Sequence, residues 1–307
     1  MASHLQRVKS KLSIFAHRKA RGLLEGQYGS VSHGRSLDFD DLRAYVPGDE
    51  VRDIDWKATA RHGSPLVRRY VAVRRQTLLL VTDTGRNMAA ESRGGEEKKD
   101  IAVLALGVVG YLASRHGDAV GLVCGDSTGS RALPGKTGEA HLERLLREVH
   151  EGTSLASPPS RLEAQLDYVA RNLPRRMLLL VVADEFRPEP ETERLLRRLR
   201  AQHEILWLTV RDAELAGADT GAGVLGPAAP YDVAASGNPA GAQAGLLPAG
   251  LADSAPIAAA YAYAREERDA ARQSMLRRLG IAEADAGSSR DVIPAVFTLL
   301  GRHRRGR

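Results

Sequence analysis

The stretch Gln76-Thr77-Leu78-Leu79-Leu80-Val81-Thr82-Asp83-Thr84-Gly85-Arg86-Asn87-Met88 constrains the fold more than any other part of the chain. Its apolar residues follow one another without a polar alternate. That is the pattern of a strand covered on both faces, and hence of a parallel sheet between helix layers. The run breaks at a carboxylate and a glycine-bearing turn, and the carboxyl ends of strands are where open α/β sheets place their ligand sites. Met177-Leu178-Leu179-Leu180-Val181-Val182-Ala183-Asp184 repeats the design, a second buried strand ending in aspartate.

Helical and extended patterns alternate around these runs. Ile101, Leu104, Ala105, Val108, Val109 and Leu112 form one stripe over 98–115, with His116-Gly117 as its stop. Strands are expected at 119–124 and 130–133; the link between them is too short for a crossover helix, so this pair is a hairpin. Helices follow over 138–150, 159–172 and 191–202, then a strand over 204–210 and helices over 258–279 and 292–303. The expectation is an α/β fold: a doubly wound, mostly parallel sheet with one antiparallel strand. An Ala/Gly/Pro-rich excursion at about 212–260, with no basic residue between Arg211 and Arg265, interrupts it. An amphipathic helix over 5–24 opens the chain. The expected division is 1–75, this helix with the region after it, and 76–307, the sheet domain.

With 307 residues the chain can bury a large core, and 44 basic against 38 acidic residues leave a net charge of +6. Much of that excess sits in His17-Arg18-Lys19-Ala20-Arg21 and Arg302-His303-Arg304-Arg305-Gly306-Arg307, read as solvated helix ends in preference to nucleic-acid contacts. Cys124 is the lone cysteine, which excludes disulfides and thiolate zinc sites. No apolar stretch reaches the ~18–20 residues of a membrane span, and the amino terminus lacks the apolar run of a signal peptide, so cytoplasmic residence is expected. No G-x-S-x-G elbow, phosphate loop or H-E-x-x-H pair is present.

Between the first helix and the first buried strand lies Gly34-Arg35-Ser36-Leu37-Asp38-Phe39-Asp40-Asp41-Leu42-Arg43-Ala44-Tyr45-Val46-Pro47-Gly48-Asp49-Glu50, running into Val51-Arg52-Asp53-Ile54-Asp55-Trp56-Lys57-Ala58-Thr59-Ala60-Arg61. Aspartates interleave with arginines and single aromatics around a Pro-Gly-Asp turn. This suggests a local ion-pair network in preference to a cation or acid–base site, because each carboxylate has an arginine at hand. Arg43, Tyr45, Pro47, Gly48, Asp49, Arg52, Asp55, Trp56 and Arg61 are taken as its structural framework.

The string G-x-S-x-[DE]-F-x-x-x-R-x-Y-x-P-G-D-x-x-R-x-I-D-W-x-x-x-A-R resembles the signature of the domain of unknown function 58 family. The resemblance implies a following von Willebrand factor A-like domain and association with MoxR-type AAA+ ATPases. Such domains hold a divalent cation through D-x-S-x-S, a threonine loop and a later aspartate. The matching positions are Asp83, with Gly85 and Asn87 where serines stand, Thr153 and Asp184. With Gly85 lacking a side chain and Arg86 placed to reach between Asp83 and Asp184, Mg²⁺ is the lesser expectation and a degenerate, cofactor-free site the greater. Asp83, Thr84, Gly85, Arg86, Asn87, Thr153, Asp184 and Glu185 are expected to form a partner-binding rim. The function implied is a non-enzymatic adaptor working with a MoxR-type ATPase, and compatible with a membrane-associated complex, in protein assembly, maturation or stress handling. The alternative is a metal-dependent nuclease or nucleic-acid-binding protein using Asp83, Asp184 and Glu185. On this reading Asp83→Ala harms partner binding more than folding, and Asp55→Ala or Trp56→Ala chiefly destabilises.

Overall fold

Apolar runs and amphipathic helices alternate along the chain, and the structure, a computed structural model, pairs them as that alternation requires. It describes residues 3–16, 28, 35–47, 49–73, 76–213 and 254–305. Most of the 212–260 excursion, and Gly48 of the turn, lie outside them.

Six strands form the main sheet: β3 (Thr77–Asp83), β4 (Ala119–Asp126), β5 (Gly129–Lys136), β6 (Leu178–Asp184), β7 (Glu204–Val210) and β8 (Ala282–Ala286), in the order β5-β4-β3-β6-β7-β8. All neighbours pair in parallel except β4 and β5, the expected hairpin. The fold is the expected mixed α/β arrangement, a mostly parallel sheet with one antiparallel pair. The strand order reverses between β3 and β6, and such a switch point opens a crevice at the carboxyl ends. Edge strand β8 went unread in the sequence, because Ala-Glu-Ala-Asp-Ala carries neither β-branched nor aromatic residues.

Period-two alternation sends the two sides of each central strand into different helix layers. Leu78 and Leu80 of β3, with Leu178, Leu180 and Val182 of β6, join one core cluster; Leu79, Val81, Leu179, Val181 and Ala183 join the other. The first layer contains α1 (His4–Ala16), α3 (Lys98–Arg115), α4 (Glu139–Gly152) and α8 (Val292–Arg305). The second contains α5 (Leu162–Asn172), α6 (Pro190–Gln202) and α7 (Ala255–Arg278). Among the described residues, no helix is long and apolar enough to cross a membrane.

Residues 32–76 form a separate compact unit. Here β1 (Arg35–Ala44) and β2 (Leu66–Val73) pair antiparallel, with α2 (Trp56–His62) between them in sequence. Arg43 grips Asp49 through both oxygens at 2.6 and 2.8 Å, and Asp49 also accepts from Val46 N at 3.0 Å. Asp55 caps α2, accepting from Lys57 N at 3.1 Å and Ala58 N at 3.0 Å. Arg52 pairs with Glu50, not with an aspartate. Five of the framework residues, Arg43, Pro47, Arg52, Trp56 and Arg61, lie exposed; Trp56, expected to be structural, is 64% exposed.

The division at residue 75 needs correcting. The described residues before 32, 3–16 and 28, belong with the sheet domain: Leu5 and Val8 of α1 sit in its core, and a Cβ on Gly107 of α3 would come within 2.5 Å of Val8, so this glycine is what permits the close approach. Glu143 of α4 accepts from Ser3 Oγ and Leu5 N, both at 2.8 Å, and from His4 N at 3.2 Å, so it satisfies helix donors that no residue of α1 can.

Val8→Ala is therefore expected to lower the unfolding free energy of the sheet domain by about 1–3 kcal/mol in urea titrations. A division at residue 75 would leave that transition unmoved. In the smaller unit, Asp55→Ala should cost about 1 kcal/mol as a lost cap, and Trp56→Ala less, both read by local hydrogen exchange in α2.

Candidate functional site

The carboxyl end of β3 delivers Asp83 to the crevice, where its carboxylate is 3% exposed. Both oxygens are occupied by backbone donors at 2.6 Å, Gly85 N on one and Arg161 N on the other. A buried carboxylate with two short N–H bonds keeps its loops in place. Arg86 N donates to Pro158 O at 3.0 Å and Ser127 N to Pro159 O at 2.9 Å, so the segment ahead of α5 lies across the end of the strand. Gly85 is a steric requirement of that crossing: a Cβ there would stand 2.5 Å from both N and Cα of Ser160. The position where a serine oxygen would reach toward a metal is filled by backbone.

Thr153, at the end of α4, is buried, and its hydroxyl donates to Val149 O at 2.7 Å. Thr84 is buried with its N–H on Gly125 O at 2.7 Å, and Arg86 and Asn87 lie half-buried in the turn that follows.

Asp184 ends β6 one residue past the position level with Asp83. By the alternation of the two core clusters, Asp83 continues the row facing α5 and Asp184 the row facing α3. Their partners agree. Asp184 receives Lys98 Nζ of α3 at 2.8 Å and Glu185 N at 2.8 Å, and Lys98 also contacts Asp212. The expected bridge by Arg86 is corrected here, since the cation on Asp184 is Lys98.

A charge network continues across the edge. Glu185, its side chain 0% exposed, is met by Arg268 at 2.8 Å and by Arg211 and Arg265 at 3.2 Å. Arg211 and Arg272 both reach Asp269 at 2.6 Å, and Arg272 pairs with Glu283 of β8 at 2.9 Å. Glu185, expected on a rim, is thus the buried centre of an arginine clasp. Sequence reasoning missed Lys98, Arg211, Asp212, Arg265 and Arg268. A signal existed for the arginines: Arg265, Arg268, Asp269 and Arg272 run at helical spacing into Met275 and Leu276, one face changing from charged to apolar.

Burial shapes the protonation. It pushes Asp83 up to about 6 against the pull of the Ser160 hydroxyl and of its N–H donors, and Asp184 up to about 7 against the attraction of Lys98. Lys98 stays above its ordinary value because the two aspartates outweigh its own desolvation. The residues do not fit a divalent ion shared by Asp83 and Asp184. The two carboxylates face different layers, Asp83 is saturated by backbone donors, and the Thr153 hydroxyl is turned into its helix. Among the described residues, no group of three or more His, Cys, Asp or Glu side chains is disposed to hold a metal.

Residues 41–220 match the family described as "Protein of unknown function DUF58". Uncharacterised proteins of Mycobacterium tuberculosis and Mycobacterium bovis are 30% identical over 214 residues, 66% of this chain. The chain spans 65% of the length of these curated relatives. Among solved structures, an aerotolerance-related membrane protein from Bacteroides fragilis aligns over 44% of this chain and 67% of its own, with TM-score 0.33 and 13% identity. A von Willebrand factor type A protein from Catenulispora acidiphila aligns over 47% of this chain and 35% of its own, with TM-score 0.32 and 12% identity.

Asp83 and Asp184 hold protons to higher pH when folded than an unfolded aspartate does. Their contribution to stability is therefore complete below about pH 4 and is lost as pH rises toward 6 and 7. For Asp83 the rise to about 6 amounts to at most ~3 kcal/mol. Urea titrations of Asp83→Asn, compared with the native chain from about pH 4.5 to 7, should show a flatter decline with pH. Asp83→Ala should lower stability throughout by about 1–3 kcal/mol per orphaned N–H, because Gly85 and Arg161 lose their acceptor. On this geometry folding is expected to suffer first, where the sequence reading expected partner binding to suffer more.

Proposed function

This chain belongs to the DUF58 family, and on that premise we propose that it is a non-enzymatic protein-interaction module that works with a MoxR-type AAA+ ATPase through the carboxyl edge of its sheet, without a divalent cation. The observation that carries this reading is Leu155, 63% exposed in the loop between α4 and α5. The loop holds itself: Ser157 N donates to Ser154 O and Ser154 N to Ser157 Oγ, both at 3.0 Å, and Ser157 Oγ donates to Gly152 O at 3.1 Å. Asp83 pins its far end through Arg161 N. A fixed loop presenting one large apolar side chain has the makings of a protein anchor, since little ordering entropy remains to be lost on docking.

In this reading the rim is redrawn. Asp83, Thr84, Thr153, Asp184 and Glu185 support the surface from beneath; Arg86 and Asn87 flank it, and Leu155 meets the partner. The chain works in the cytoplasm, and a membrane-associated complex is compatible with it. The nuclease alternative finds less support: the carboxylates it requires are engaged by backbone donors, Lys98 and arginines.

Leu155→Asp should cut recovery of a MoxR-type ATPase in pull-downs by about tenfold or more while leaving the melting temperature unchanged, as for a central apolar anchor. EDTA should have no effect. Undiminished recovery with Leu155→Asp, or recovery abolished by chelation, would overturn the proposal.

A further inference from the structure

The two edges of the main sheet differ in charge. At the carboxyl edge Asp83, Asp126 and Asp184 end β3, β4 and β6, and Asp212 follows β7. At the amino edge arginines are exposed instead. Arg175 and Arg176 lie just ahead of β6, Arg171 in the last turn of α5, and Arg277 and Arg278 in the last turn of α7, just ahead of β8. Arg302, in the last turn of α8, returns to the same edge: it donates to Glu283 O of β8 at 2.6 Å, and His303 beside it meets Glu204, the first residue of β7, at 3.1 Å. The acids here are withdrawn. Asp118, just ahead of β4, and Glu204 are buried, and Arg176 covers Glu204 together with His303.

The helix dipole accounts for cations in the last turns of α5, α7 and α8. It does not account for Arg175 and Arg176, which stand in a loop. Arg175 and Arg277 are exposed and have no ion-pair partner among the described residues. Nor is the array loose: Arg198 Nη2 donates to Ala170 O at 3.1 Å, Gln202 Nε2 to Pro174 O at 2.5 Å and Arg200 Nε to Gly280 O at 3.5 Å, so α6 ties the ends of α5 and α7 together. These helices lie on one side of the sheet and α8 on the other, so the positive charge spreads over both sides of the edge. A nucleic-acid duplex would meet such a field only along a strip, and a single strand would want exposed aromatic rings to stack on. Tyr263, the exposed aromatic of the described sheet domain, sits in the amino-terminal half of α7, away from this edge. A layer of phosphate headgroups engages the field as a whole, and guanidinium forks suit phosphate oxygens.

We propose that the amino edge of the sheet is a docking surface for an anionic lipid bilayer, held through headgroup phosphates. The inference does not require the docking reading above. It gives the molecule an orientation: the carboxyl edge with Leu155 faces away from the lipid, so both edges can be occupied at once.

The test uses the purified full chain without any partner, sedimented with phosphatidylcholine vesicles that contain or lack phosphatidylglycerol. The native chain should sediment with the anionic vesicles alone and be released by high salt. Arg175→Glu/Arg277→Glu should bind them about tenfold or more weakly with an unchanged melting temperature, since each reversal replaces an attraction with a repulsion. Arg187→Glu/Arg290→Glu makes the same change of net charge at exposed positions following β6 and β8 at the opposite edge, and should bind as the native chain does, as should Leu155→Asp. Equal sedimentation with neutral vesicles, equal loss in the two double variants, loss with Leu155→Asp, or tighter retention by duplex DNA than by anionic vesicles at the same salt would overturn the proposal.

Discussion

The parallel register between β3 and β6 governs the chemistry of this edge. Thr82 stands level with Val182, so Asp83 and Asp184 fall on successive positions and therefore on opposite sides of the sheet. A one-residue slip would bring both carboxylates into one layer, but it would also turn every apolar side chain of one strand toward the wrong helices. With Leu78, Leu80, Leu178, Leu180 and Val182 buried on one side and Leu79, Val81, Leu179 and Val181 on the other, that slip is closed. The core fixes the register, and the register gives the two acids separate tasks.

On its side, Asp83 organises backbone. Parallel strands end in loops that must cross the sheet edge with their N–H groups satisfied, and a carboxylate accepting two of them is a compact solution. On the other side, Asp184 meets Lys98, which it shares with Asp212, while at the edge against α7 a separate network joins Glu185, Arg211, Arg265, Arg268, Asp269, Arg272 and Glu283. Burying so many charges costs more in desolvation than hydrophobic side chains of the same volume would, so the network is a poor argument for stability. Its effect is on orientation. The apolar residues Met275 and Leu276 seat only the carboxyl-terminal part of α7, and a helix held there alone could rotate. Arginine forks on Glu185 and Glu283 fix which face of α7 meets the ends of β6 and β8.

The layered fold was legible because its signal is local. Unbroken Leu/Val runs can only be strands covered on both faces, and the short link after Asp126 can only be a hairpin. Strand β8 was not, since its side chains are small or acidic and its strand state is imposed by β7 alongside it. In the smaller unit, β1 and β2 were hidden by the same charge alternation that pointed to ion pairs; the pairing of Arg43 with Asp49 was readable because both partners flank one turn. The site was legible only in its parts. The sequence locates Asp83 and Asp184 at strand ends, but which layer each faces depends on the pairing of two strands far apart in the chain. Lys98 reads as one more charge in Glu96-Glu97-Lys98-Lys99-Asp100, and nothing local says that it turns inward.

An edge so thoroughly satisfied suits the proposed docking role because of what the satisfaction achieves. Single exposed leucines are ordinary, so Leu155 carries weight through its position and not through its exposure alone. It stands on the loop whose far end is tied to Asp83, at the switch point of the sheet. Replacing that carboxylate with an apolar side chain would spare its desolvation but leave Gly85 N and Arg161 N without an acceptor, and the loop without its anchor. A chain that keeps a buried acid raised to about 6 accepts a standing cost in stability at neutral pH. Such a cost is intelligible on the proposed reading, in which the geometry of the loop above it is held for a partner to meet.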